Sequence, residues 1–189
     1  LWEKISMKVK SDTLISELID STHQNLNFLK TLNSKSDSEL NWREDEKSWS
    51  ILECIEHLNL YGDFYLPEIE RVIRNSRSKT EELFKSGVLG NYFAKAMLPK
   101  AKLNKMKTFK DKNPSKSNLN RNTFDRFERQ QIQLIDLLNK ARNINLNKEK
   151  TNITITKLIK LKIGDTFRFV INHNTRHINQ IERISEFFY

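Results

Sequence analysis

The chain has 189 residues, 37% of them hydrophobic and 30% charged, with a formal net charge of +9. That length suits a single domain, and the absence of any run of 18 apolar residues excludes a transmembrane helix. The first residues lack the basic-then-apolar order of a secretory signal, and the single cysteine, Cys54, excludes an internal disulfide framework, so a cytoplasmic protein with no membrane contact is expected.

Four Gly and three Pro are few, which favours long uninterrupted elements over many tight turns. Residues 1–10 read as a flexible N-terminal extension of a domain spanning 1–189. The first helical pattern covers residues 12–33. Leu14, Leu18, Leu29 and Leu32 recur at helical spacing, Ile15, Ile19 and Leu26 widen the face, and Asp12 is placed as the N-cap. His23, between polar Thr22 and Gln24, is expected to be partly exposed.

A polar connector, SKSDSELNWREDEKS, leads to a second helix predicted from Ile51 to Asn75. Ser50 and Glu53 form a capping-box pattern at its start, and Pro67 predicts a kink or an early end near Leu66. Next comes a Lys-rich connector over 86–121. Residues 95–116 hold eight Lys against one acid, Asp111, and carry most of the net charge. With Phe109 the only aromatic among them, no base-stacking platform is visible. A solvated connector is therefore favoured over a nucleic-acid site, with a short helix at Leu89–Leu98 ended by Pro99.

The third helix is predicted over 122–142, with Phe124, Phe127, Leu134, Ile135 and Leu138 on one face. The β-branched stretch ITITKLIKLKIG then reads as an extended strap or a short helix. The fourth helix opens at Gly164-Asp165, with Asp165 as N-cap and Phe167, Val170, Ile171, Ile178, Ile181 and Ile184 inward. Four amphipathic helices with long connectors predict an all-α four-helix bundle with crossover connections.

Two of the four histidines stand four residues apart in INHNTRHINQ (171–180). On a helix His173 and His177 project from one face, and Gln180 extends their row. Two imidazoles at this spacing can hold one metal ion, or they can be hydrogen-bonded core residues. A third ligand has to come from another element, and His57, on the inward stripe of the second helix with Leu58 and Tyr61, is the best candidate. Three His with an open position make a catalytic set rather than a closed structural one. Cys54 is either a soft ligand or, more in keeping with a lone thiol on an apolar face, packing.

The segments KSWSILECIEHLNLYGDFY (47–65) and GDTFRFVINHNTRHINQIER (164–183) together resemble the DinB-like superfamily, which includes the YfiT-type metal-dependent hydrolases and is linked to bacillithiol S-transferase activity. The matching residues are Trp49-Ser50, Glu53 with His57-Leu58, and His173, Arg176, His177 and Gln180. The resemblance implies a four-helix bundle with a divalent metal held by His57, His173 and His177, and it makes a homodimer an expectation.

Three neutral imidazoles leave the charge of a divalent ion uncompensated, so a water or a small thiol in its open position is acidified. Zinc or nickel comes first among the ions that suit such a site, and iron also suits it. The first functional expectation, drawn from the resemblance, is a metal-dependent enzyme that activates a low-molecular-weight thiol for transfer to an electrophile. The alternatives are a hydrolase using water at the same site, and a non-enzymatic metal-binding or stress-associated bundle acting through its Lys-rich connector. Arg176 and Gln180 are placed around the ligands or on a substrate anion, with a surface salt bridge as the plainer role for Arg176. Tyr61 and Gln131 are placed in the pocket wall. No Glu stands beside the His pair; Glu53, one turn before His57, is a candidate base, though its capping role already accounts for it.

Overall fold

The computed structural model describes residues 7–98, 108–154, 156 and 158–188. In chain order the elements are β1 (Lys8–Lys10), α1 (Ser11–Thr31), α2 (Asp37–Asn41), α3 (Ile51–Asn75), β2 (Leu83–Lys85), α4 (Val88–Ala96), α5 (Asn122–Ala141), β3 (Lys150–Asn152), β4 (Lys160–Lys162) and α6 (Ile163–Ser185). The four long helices α1, α3, α5 and α6 are the four expected from hydrophobic periodicity.

Each long helix packs against two others: α3 lies against α5 and α6, and α1 lies against the same two. The consecutive long helices α1 and α3 therefore sit on a diagonal, so the α1–α3 connection crosses the end of the bundle. That is the crossover topology the long connectors predict. The short α4 lies along α6. Two small antiparallel pairs brace the bundle, β1 with β2 (Val9 opposite Phe84) and β3 with β4 (Thr151 opposite Leu161).

Local chemistry fixes the starts of two helices. Ser50 accepts from the Glu53 amide while the Glu53 carboxylate accepts from the Ser50 amide, so the capping box starts α3 where expected. A second capping box, Ser36 with Glu39, starts α2 inside the connector read as merely polar. Pro67 neither ends nor shortens α3, which continues to Asn75. Its neighbours Leu66 and Ile69 are buried, and that packing outweighs one missing backbone hydrogen bond.

The other two expected caps are displaced. Helix α1 begins at Ser11, directly after the strand residue Lys10, so Asp12 falls in the first turn and pairs with Arg142 instead. Helix α6 begins at Ile163, directly after strand β4, so Asp165 also falls inside the first turn. In both cases a strand feeds straight into a helix and leaves no room for a side-chain cap. ITITKLIKLKIG takes the extended alternative through β4, with residues 155 and 157 outside the described set. The short helix expected at 89–98 is α4; Pro99, which was to end it, lies outside the described residues, as do Lys100, Lys102, Lys105 and Lys107.

The buried apolar side chains form two clusters. One, around Leu14, Tyr65, Ile69, Leu134, Leu138, Phe167 and Ile171, fills one end of the bundle. The other, around Leu29, Leu52, Ile55, Phe127, Ile178 and Ile181, fills the opposite end. On α6 the two are separated by His173, Asn174, Thr175, Arg176 and His177, so a polar waist crosses the bundle at mid-length.

Candidate metal centre

Three of the four histidines meet at this waist. His57 on α3 and His173 on α6 are buried and His177, one turn further along α6, is half-buried. One ring nitrogen from each lies within 4.8 Å of those of the other two. His57 Nε2 and His173 Nε2 stand 3.2 Å apart. A tetrahedral zinc with Zn–N bonds of about 2.0–2.1 Å sets its ligand nitrogens about 3.3 Å apart, so this pair already has the spacing of two ligands.

The outward nitrogens are fixed by hydrogen bonds. His57 Nδ1–H donates to the carbonyl of Lys112 at 2.6 Å. His177 Nδ1 stands 3.0 Å from Gln180 Oε1, an oxygen that can only accept. Both rings are thereby held in the tautomer whose Nε2 lone pair is free. Since His57 Nε2 carries no proton, either a proton from His173 or a cation has to lie between the two facing nitrogens. Burial pushes His57 down to about 4 and His177 down to about 3, and it puts His173 well below its ordinary range with the neighbouring imidazoles adding to the effect. All three rings are neutral at pH 7, as ligands must be. The donor set fits a divalent ion of the zinc, nickel or iron type.

The cluster lies in the wall of an open cavity of about 790 Å³. Tyr61 lines it beside His57 and His173, with ring centroids 4.9 and 4.5 Å away. Burial, then Tyr65 and Asp111, push its hydroxyl up to about 12, so it stays protonated and can donate. Phe169 stacks on His173 with rings 12° from parallel, which keeps that ring from turning away. Trp49 closes the opposite side, 4.7 Å from His57 and 5.9 Å from His177, and its Nε1–H donates to Ser115 Oγ. The loop residues Thr108, Phe109, Asn113 and Ser115 complete that side.

Most of the expected site residues meet here. Arg176 is buried and lines the cavity, so it is not at the surface; burial lowers its pKa but leaves a guanidinium charged at neutral pH. Gln180 also lines the cavity while orienting His177. Gln131 is the correction. It lies in the bundle core, not in the cavity wall, and accepts a hydrogen bond of 2.9 Å from Asn174 on α6. A polar residue on an apolar stripe marked a buried partner rather than a cavity.

Cys54 is fully buried in the second apolar cluster and apart from the imidazoles; burial, aided by Glu53, pushes its thiol up and keeps it protonated, which suits packing and not ligation. His23 is exposed on α1. Glu53 is saturated by Arg43 and two backbone amides, which removes it as a general base. The contributions of Lys112 and the 108–115 loop had no signal in the sequence, because a backbone carbonyl and a loop wall are set by tertiary placement. Phe169, four residues before His173 on α6, was legible from the same helical spacing and was passed over.

A crossover four-helix bundle with a three-His cluster between α3 and α6 defines a class, and the comparisons place the chain in it. Residues 20–181 match the DinB superfamily model, so the chain belongs to the DinB superfamily. Among solved structures it is similar to YfiT from Bacillus subtilis, described as a probable metal-dependent hydrolase with an unusual four-helix bundle topology. That likeness has a TM-score of 0.58 at 12% identity and covers 92% of this chain and 87% of YfiT, so it speaks for the shared fold. No curated protein matches the sequence. No helix among the described residues is long and apolar enough to cross a membrane.

Proposed function

We propose that this protein is a divalent-metal-dependent enzyme that activates a small thiol for transfer to an electrophile. The observation that carries the metal reading is the convergence of three neutral imidazoles in the wall of a cavity large enough for a small molecule. A divalent ion bound there supplies Lewis acidity that favours the deprotonated form of a thiol or a water. Zinc and nickel fit the imidazole donors best, with iron next.

What the cavity lacks bears on the choice of nucleophile. Among its described lining residues the one carboxylate is Glu44, exposed at the rim. A thiol, with an ordinary pKa of about 8.5, gives up its proton far more readily than water, so a site without a carboxylate base suits a thiol nucleophile better than water. The other side chains suit transfer. Tyr61 presents a protonated hydroxyl to a leaving group, Arg176 places a buried positive charge in the cavity wall, and Trp49 and Phe169 add apolar surface beside the imidazoles. YfiT's description as a probable metal-dependent hydrolase keeps hydrolysis as the second reading.

The test is elemental analysis of protein purified without chelator, followed by assay of several cellular thiols against small electrophiles. One equivalent of metal, lost in His57→Ala together with thiol-dependent turnover, is the expected result. A metal-free protein whose His57→Ala variant keeps full activity overturns the proposal. Turnover of simple esters with no thiol present moves it to the hydrolase reading. The homodimer implied by the resemblance is checked by sedimentation in the same preparation.

A further inference from the structure

Glu53 accepts more than a capping box requires. Its carboxylate is almost completely buried and takes four hydrogen bonds: Arg43 Nε at 2.8 Å, Arg43 Nη2 at 2.7 Å, the Ser50 amide at 2.9 Å and the Lys116 amide at 2.8 Å. The Ser50 contact belongs to the cap. The other three tie two separate connectors, one before α3 and one before α5, to the first turn of the helix that carries His57.

The second connector is the loop that reaches the site. Within it the Lys112 carbonyl accepts from His57 Nδ1, Ser115 Oγ accepts from Trp49 Nε1, and Thr108, Phe109, Asn113 and Ser115 line the cavity. Lys116 has φ of 66°, the left-handed region that residues other than glycine avoid, and among the described residues it is the one non-glycine there. That conformation turns its amide onto Glu53. A left-handed lysine persists only where its surroundings fix it, and the buried carboxylate is what fixes it here.

We infer that the Arg43–Glu53 pair is a latch that holds the 108–117 loop against α3, and that through the Lys112 carbonyl it sets the tautomer of His57. Glu53 and Arg43 are thus positioning residues. They touch neither the imidazole cluster nor the cavity, yet they decide which His57 nitrogen faces it. Only the cobalt measurement below rests on the metal reading; the latch itself is a property of the protein alone.

Full-length, metal-free, 15N-labelled protein gives a direct readout, because long-range nitrogen–proton NMR reports which ring nitrogen of His57 carries the proton. Wild type is expected as Nδ1–H. Glu53→Gln keeps a side chain able to cap but loses the bidentate ion pair. It should move His57 towards Nε2–H and speed exchange of the Lys116 amide at least tenfold. Cobalt(II) affinity should fall by about ten- to a hundredfold, the usual effect of losing an outer partner of a metal-binding His. Arg43→Ala, outside any helix, should shift the same readouts in the same direction and serves if Glu53→Gln does not fold. Ser50→Ala breaks the cap from its other side and should lower Tm without changing the His57 tautomer or cobalt affinity.

A wild-type His57 found as Nε2–H overturns the latch. So does an unchanged tautomer and Lys116 exchange in Glu53→Gln and Arg43→Ala, with effects on Tm alone. If wild type binds no cobalt, the metal reading fails, while the tautomer and exchange data still decide this inference.

Discussion

Two buried carboxylates stand in the first turns of α3 and α6, the helices that carry the three clustered histidines, and each fastens a different part of the cavity wall. Glu53 at the start of α3 binds Arg43 and holds the 108–117 loop. Asp165 at the start of α6 binds Arg168, the Ser86 hydroxyl and the Gly87 amide, and so holds the chain entering α4. Arg168 in turn donates to Asn91 on α4, whose Phe93 and Ala96 form the cavity wall on that side. The chemistry is the same but the enclosure is not. Asp165 and Arg168 have side-chain exposures of 0% and 9%, whereas Arg43 is 35% exposed beside Glu53 at 2%. The α4 wall is thus fastened by an enclosed pair, and the loop wall by a pair with one partner partly exposed to water. Removing a partner costs most where water cannot replace it, so the loop is the more easily released side.

The largest expected effect follows from the enclosed pair. Asp165→Ala leaves the buried Arg168 charge facing the neutral acceptors Ser86 and Asn91 and takes the carboxylate from the Gly87 amide. It should therefore destabilise the protein by about 3–5 kcal/mol, measured by urea unfolding; a loss below 1 kcal/mol would put the two carboxylates on an equal footing. Next is Gly90→Ala. In an open helix this change gains about 1 kcal/mol, but here the new methyl would sit inside the Asp165 side chain. The expected outcome is a net loss of about 1–3 kcal/mol, and a raised Tm would show that α4 can lift away.

Acid weakens the more exposed pair, Arg43–Glu53. Burial raises the Glu53 carboxyl, but the hydrogen bonds from Arg43, Ser50 and Lys116 outweigh it and hold its pKa below the ordinary 4.5. The folded state therefore binds fewer protons than the unfolded chain. The latch contributes its full stability above about pH 4.5 and loses it as pH falls through the folded value. Unfolding free energy followed from pH 6 to pH 3 should drop less steeply in Glu53→Gln than in wild type. The smallest effect belongs to a cap remote from both pairs: Ser36→Ala should cost about 1 kcal/mol through α2 alone, with no change in metal content.

The sequence carried the bundle further than it carried the connectors. Helical periodicity gave the limits of α5 to within a residue, because burying an apolar stripe is a local requirement written along the chain. The capping box placed the start of α3, whereas the early end expected at Pro67 did not occur. The two misplaced caps share one cause. Asp12 and Asp165 have the residue type of an N-cap, but β1 and β4 run directly into their helices, and strand pairing is a long-range contact no local pattern encodes. Gln131 was misread for a similar reason: whether a buried amide faces a cavity or a partner depends on Asn174 of another helix.

Of the site, the spacing of His173 and His177 fixed that two imidazoles share one helix face, since 3.6 residues per turn leaves no alternative. That His57 joins them came from the resemblance and from its place on an inward stripe. Only the tertiary structure decided the rest: which nitrogen each ring turns inward, the stacking of Phe169 on His173, and the loop whose carbonyl and strained lysine close one side. Phe169 and His173, like His177 and Gln180, are one turn apart on α6, but the loop contacts of His57 with Lys112 and of Glu53 with Lys116 join residues more than fifty positions apart. Helical period orders a chain over a few turns, and contacts at that distance are set by how the helices and connectors pack.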